Sequence, residues 1–125
     1  MNYEVVHTTE APAAIGPYVQ ATKAGNTVYI SGQLGIDMVT GEIPASVCLQ
    51  TKHSLANLAA ILEAAGSSVE QVVKTTIFLT DMADFATVNE IYGSFFDSSK
   101  PARSCVQVVA LPKGGKVEIE AIALV

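Results

Sequence analysis

The sequence predicts an α+β fold, one mixed β-sheet with two helices packed on a single face, and three observations carry that expectation. Apolar residues recur at helical spacing twice, over Cys48, Leu55, Leu58, Leu62 and Ala65 and again over Phe85, Val88, Tyr92 and Phe95. Short runs rich in β-branched residues, bounded by glycine, proline and asparagine, precede, separate and follow these stripes. The order that results is strands, helix, strand, helix, strands, which suits one sheet covered on one side and leaves the other side for partner subunits.

Taken in order, Tyr3 to Thr8 and Tyr18 to Ala24 read as short strands, and Gly25-Asn26 is a tight turn into a third strand over Thr27 to Gln33, making a hairpin. Turn signals around Thr40-Gly41 and at Pro44 precede the first helix, which Gly66 ends as a C-cap. Val72 to Thr80 reads as a buried strand, and Asp81 or Asp84 caps the second helix. Past Ser98-Ser99-Lys100-Pro101, Arg103 to Leu111 and Lys116 to Val125 read as two more strands around Pro112-Lys113-Gly114-Gly115, with their mutual register open. No repeat, low-complexity tract or linker interrupts the chain, so residues 1–125 are expected to form one domain.

Half of the residues (50%) are hydrophobic and 15% are charged, a balance that excludes disorder and points to oligomerisation to hide surplus apolar surface. A net charge of -5 and a pI near 4.8, with no basic run, count against a nucleic-acid partner, because phosphate binding depends on clustered lysine and arginine. The N-terminal MNYEVVHTTE lacks the pattern of a secretory signal, and no apolar stretch has the length of a membrane span, so a cytoplasmic location is expected. Cys48 and Cys105 stand far apart in dissimilar contexts, which predicts reduced thiols rather than a disulfide or a zinc site.

The alternation of a strand after Pro101 places Arg103, Cys105 and Gln107 on one side and Ser104, Val106 and Val108 on the other. An arginine opening such a strand offers a planar fork for a carboxylate or phosphate, with an internal ion pair as the equal alternative. In the last strand Glu118 and Glu120 share a face with Ile122 and Leu124. That juxtaposition can raise a carboxyl pKa; the plainer reading is a wet strand end or pairing with Lys113 or Lys116. Nothing in the spacing links His7 or His53 to Cys105, so a packed thiol is favoured over a nucleophile, and His53 beside Lys52 reads as a solvated helix face. Gly16-Pro17-Tyr18 and Ser31-Gly32-Gln33 bracket the hairpin and put glycine where backbone can approach a ligand. The absence of HExxH, CxxC, GxSxG, P-loop and dinucleotide patterns removes the usual sequence support for metal, nucleotide or serine-hydrolase chemistry, so no cofactor is expected.

Together, APAAIGPYVQA, ISGQ, SLANLAAILEAAG, VVKTTIFLTDMADFATVNEIY, PARSCVQV and LPKGGKVEIEAIA resemble the reactive-intermediate deaminase family, also called the RidA or YjgF family, over nearly the whole chain. The resemblance implies a chorismate-mutase-like fold of the bacillus type, assembled as a homotrimer with ligand clefts between subunits. It implies hydrolysis of reactive enamines and imines (2-aminoacrylate, 2-iminopropanoate, 2-iminobutanoate) to 2-oxo acids and ammonia. These intermediates are released by pyridoxal-phosphate-dependent dehydratases, which makes the role one of metabolite damage control. By motif match, Arg103 corresponds to the family's carboxylate-binding arginine, Glu118 to the acidic residue near the attacking water and Cys105 to its site cysteine. Tyr18, Ser31, Gly32 and Asn89 match cleft positions that contact substrate. With no departure at these positions, the deaminating branch is favoured over relatives that lack the arginine. Two other readings stand beside it: a non-catalytic 2-oxo-acid-binding regulator, and an endoribonuclease or translation inhibitor, against which the acidic charge counts.

Overall fold

The computed structural model describes residues 2–125. Its six strands form one sheet in the order β1-β2-β3-β6-β4-β5, where β1 is Glu4–Val6, β2 Ala21–Ala24, β3 Thr27–Leu34, β4 Val72–Leu79, β5 Ala102–Gln107 and β6 Val117–Leu124. Two helices, α1 (Val47–Ala64) and α2 (Phe85–Phe95), pack on the same face. The expected mixed sheet with two helices on one side is therefore the observed architecture.

The hairpin forms where Gly25 takes φ +61, so that Ala24 faces Thr27 across a two-residue turn. Ser46 caps α1, its Oγ accepting from the Leu49 amide at 3.3 Å. At the other end Gly66, at φ +80, closes a Schellman motif: its amide donates to Glu63 O and that of Ser67 to Leu62 O. The inward stripe of α1 buries Leu55, Leu58, Ile61 and Leu62 against β3 and β6, each contributing roughly 1.5–3 kcal/mol relative to an exposed side chain. Val28, Ile30, Ile77, Leu79, Val117 and Ile119 supply the sheet's half of this core.

Four expectations need correction. The strand beginning near Arg103 ends at Gln107 rather than Leu111, because beyond Val108, whose amide still donates to Leu79 O, the chain turns outward and leaves Val109 fully exposed. The last two strands are not neighbours: β4 lies between them, antiparallel to β6 and parallel to β5. His53 does not sit on a free solvated face but is half-buried, with Nε2 at 3.7 Å from Asp37 Oδ2. Of the proposed second stripe, Val88 and Tyr92 are buried while Phe95 is only partly so; the inward role belongs to Phe96, whose ring lies 4.7 Å from that of Tyr92.

The helix-free face carries Tyr29, Glu118, Glu120, Ile122, Leu124, Thr76, Phe78 and Val106, a mixed apolar and acidic surface with no helix or strand over it among the described residues. No helix among the described residues is long and apolar enough to cross a membrane.

Candidate active site

One group of candidate residues is built around β6. Alternation in β6 buries Val117, Ile119, Ala121 and Ala123 and turns Glu118 and Glu120 to the helix-free face. The neighbouring β3 carries an irregularity between Ile30 and Gln33, so that Ser31 and Gly32 bulge beside Glu118. Gly32 leaves room there for the Glu118 carboxylate, which a Cβ at this position would push aside. The bulge is fixed from two sides, by the Ser31 Oγ donating to Val19 O at 2.7 Å and by the Gln33 side-chain amide donating to Ser31 O at 3.0 Å.

Ser31, Gly32, Glu118, Glu120 and Lys113 line a cavity of about 550 Å³ whose outer wall includes Tyr18. Burial, and to a lesser degree the charge of Glu120, push the Glu118 carboxyl above the ordinary glutamate range. It therefore holds a proton to higher pH than an exposed glutamate and can both take and return one. Neither Lys113 nor Lys116 forms an ion pair with it among the described residues, and the Lys116 ammonium instead donates to Ala45 O.

The second group is built around β5, an edge strand. Arg103 opens the strand on the helix side, where its Nη1 donates to Asn89 Oδ1 at 2.7 Å. The guanidinium carbon lies 4.9 Å from the centre of the Tyr92 ring and 5.6 Å from that of Phe85. Tyr92 is itself pinned by a 2.6 Å hydrogen bond to the Thr75 hydroxyl inside the core. The ion pairs among the described residues, Lys23 with Glu4 and His53 with Asp37, do not involve Arg103. Of five N–H groups one is used by Asn89, and the exposed remainder faces a cleft of about 390 Å³ shared with Lys100 and Gly93. Cys105, half-buried against the core, has its thiol pushed up by burial, which the nearby Arg103 charge offsets only in part. A neutral thiol suits packing better than nucleophilic attack.

The two groups are not brought together within one chain. Cross-strand register sets Gln33, Ile119, Ile77 and Cys105 in one row toward the helices, and Leu34, Glu118, Phe78 and Val106 in the next row, pointing away. Arg103 and Cys105 thus lie on the opposite face from Glu118, two strands and about 10 Å across the sheet. Tyr18, Ser31 and Gly32 belong with Glu118, and Asn89 belongs with Arg103.

Several supporting residues escaped the sequence reading. Gln50, Ser54 and Asn57 form a buried polar stripe on α1 whose side chains meet Pro44 O, Gln33 O, and Leu34 O and Ile36 O, while Gln50 Oε1 accepts from the Lys116 amide. They clamp α1 to the ends of β3 and β6 that carry Gly32 and Glu118. Gly35 permits this approach, since a Cβ there would enter the Gln50 backbone. Polar residues at helical spacing 50, 54 and 57, beside an apolar stripe, were the signal available.

Comparison with known proteins shows the family to which the chain belongs. The family model described as Endoribonuclease L-PSP matches residues 8–125. A mouse protein named 2-iminobutanoate/2-iminopropanoate deaminase is 55% identical over 97% of this chain and 90% of its own length. An Escherichia coli K12 protein of the same name is 52% identical, over 97% of each chain. The crystal structure of E. coli TdcF with bound serine superposes with a TM-score of 0.94 at 52% identity, covering 98% of each chain. With a family model spanning almost the entire sequence and relatives above half identity end to end, the chain belongs to the Endoribonuclease L-PSP family, on its RidA/YjgF deaminase branch.

Proposed function

We infer that this protein is a 2-iminobutanoate/2-iminopropanoate deaminase, hydrolysing reactive enamines and imines to 2-oxo acids and ammonia. The single observation that carries the reading is Arg103: an exposed guanidinium without an ion-pair partner among the described residues, oriented by Asn89 and backed by aromatic rings. Such a fork matches a substrate carboxylate in two-point contact.

The active assembly in this reading is a homotrimer in which the Arg103 side of one subunit meets the Glu118 side of the next. The separation of the two groups on opposite faces of one sheet, and the uncovered apolar face beside Glu118, support it. Chemistry then follows from positioning. An enamine such as 2-aminoacrylate tautomerises to its imine, which is electrophilic at carbon once protonated on nitrogen. Arg103 anchors the carboxylate, and Tyr18 packs over the ligand. Glu118 takes a proton from the attacking water as its oxygen bonds to the imine carbon. The same carboxyl returns that proton to nitrogen and then takes the hydroxyl proton as the C–N bond breaks, so that the carbonyl forms and ammonia leaves, to be protonated to ammonium by that carboxyl. The raised proton affinity of Glu118 suits this two-way role. Ser31 and the Gly32 backbone orient the reacting end, while Cys105 lines the Arg103 side. Both thiols are free, as a cytoplasmic setting would leave them, and the substrates are those released by pyridoxal-phosphate-dependent dehydratases.

Coupling to a threonine dehydratase tests the reading. Added protein should accelerate 2-oxobutyrate formation from the released imine, and Arg103→Ala should reduce that acceleration at least 100-fold while the assembly keeps its mass in light scattering. Binding of 2-oxobutyrate with no acceleration would establish a non-catalytic regulator. RNA cleavage that survives Arg103→Ala, with imine hydrolysis absent, would establish a ribonuclease.

A further inference from the structure

The Glu118 cavity has an apolar wall that the chemistry of water addition does not use. Residues Pro12 to Ile15 run along it before the chain reaches Tyr18. The arm is held rigidly at its root by Gln20, which is only 3% exposed. The Gln20 Nε2 donates to Thr8 O at 3.0 Å and Pro12 O at 2.8 Å, and its Oε1 accepts from the Thr8 amide at 2.7 Å. The far end turns at Gly16, whose φ of +152 suits glycine, with the Tyr18 ring packed beside it. The Tyr18 amide donates back to Gly16 O at 2.9 Å, closing a tight turn.

Between these anchors stands Ile15, 68% exposed, a large aliphatic side chain lining the cavity whose polar floor is Ser31, Gly32, Glu118 and Glu120. A rigid segment that holds an isoleucine out over a polar cavity provides a contact for something apolar. An imino acid has one apolar part, its side chain beyond the α-carbon.

We propose that Ile15 is a specificity-determining residue that contacts the alkyl side chain of the substrate and favours longer aliphatic imino acids over 2-iminopropanoate. This inference rests on the deaminase reading and extends it to the choice among substrates. Loss of the contact weakens binding in proportion to the hydrocarbon that touched it, whereas the shortest substrate, with a single methyl group, loses least.

The experiment compares imines generated in situ from alanine, 2-aminobutyrate and leucine by an amino-acid oxidase, measuring kcat/KM for the wild type, Ile15→Ala and Ile15→Val. The leucine-to-alanine ratio of kcat/KM should fall about 5-fold in Ile15→Ala and less in Ile15→Val, with the alanine-derived substrate changed by less than about 2-fold. A ratio that is unchanged or rises in Ile15→Ala, in protein of normal Tm and assembly, overturns the assignment. So does dissociation of the assembly on Ile15→Ala, which would make this side chain a subunit contact. A wild type inactive on all three imines would instead remove the deaminase reading itself, so the two failures are distinguishable.

Discussion

At the scale of single residues, Glu118 shows how a functional group is maintained against stability. Its folded-state pKa is raised, so the folded protein binds a proton more tightly than the unfolded chain does. The stabilising contribution of the protonated form is fully present below the unfolded value, about 4.3, and is lost as pH rises through the folded value. Above that folded value the ionised, partly buried carboxylate therefore destabilises the fold. Glu118→Gln should raise Tm near neutrality, with the difference from wild type shrinking as pH falls toward 4, while turnover drops at least 10-fold and binding of 2-oxobutyrate changes little. Thermal scans across pH together with steady-state kinetics check both halves; unchanged turnover would remove Glu118 from the proton transfers. Gly32→Ala provides an independent route to the same atom. Its new Cβ would displace the flexible end of Glu118 rather than backbone, so the fold should survive while turnover falls to a level near that of Glu118→Gln. Wild-type turnover in this variant would mean that the carboxylate does not work from its present position.

At the scale of elements, the outer clamp on Glu118 is α1. Gln50 ties the helix to the loop before β6 by accepting from the Lys116 amide at 2.8 Å, and to the loop before α1 by donating to Pro44 O at 2.7 Å. Gln50→Leu keeps the side-chain bulk but leaves a carbonyl and an amide without their partner. It should cost about 2 kcal/mol, lowering Tm by roughly 8 °C. Turnover measured well below the new Tm should also drop, because β6 loses its tether two residues before Glu118; a large Tm loss with untouched turnover would confine Gln50 to stability. These polar ties mark the boundary of what sequence makes legible. The local signals were sufficient for α1, where the apolar spacing and Gly66 agree, and for the hairpin, where Gly25 fixes the turn. They failed where the answer depends on what lies opposite. Phe95 and Phe96 are adjacent, and which of them faces inward follows from the position of Tyr92 against Thr75 rather than from spacing alone. Likewise Gln50 and Asn57 look like surface residues until the carbonyls of Pro44, Leu34 and Ile36 are placed beneath them.

At the scale of the whole molecule, the decisive fact is a parity that no single strand reveals. Alternation places Arg103 and Glu118 each correctly on its own strand, but whether the two share a face depends on the register of β5 on β4 and of β4 on β6. That register puts them on opposite sides, so in the proposed reading a chain alone holds two half-sites. If one subunit supplies Arg103 and its neighbour Glu118, two inactive variants should repair each other. In a mixture assembled at random from equal amounts of Arg103→Ala and Glu118→Gln subunits, a cleft works only when an intact arginine meets an intact glutamate. Each condition holds half the time, so about one quarter of wild-type activity should return, whereas either variant assembled alone stays inactive. Co-expression with two different affinity tags and the imine hydrolysis assay measure this directly, and tandem purification, which discards both kinds of homotrimer, should raise the recovery to about one third, one cleft in three. Recovery cannot come from a cleft built within one chain, because every chain in the mixture lacks one of the two groups. An inactive mixed assembly would therefore return both residues to a single subunit and leave the opposite-face arrangement without a catalytic meaning.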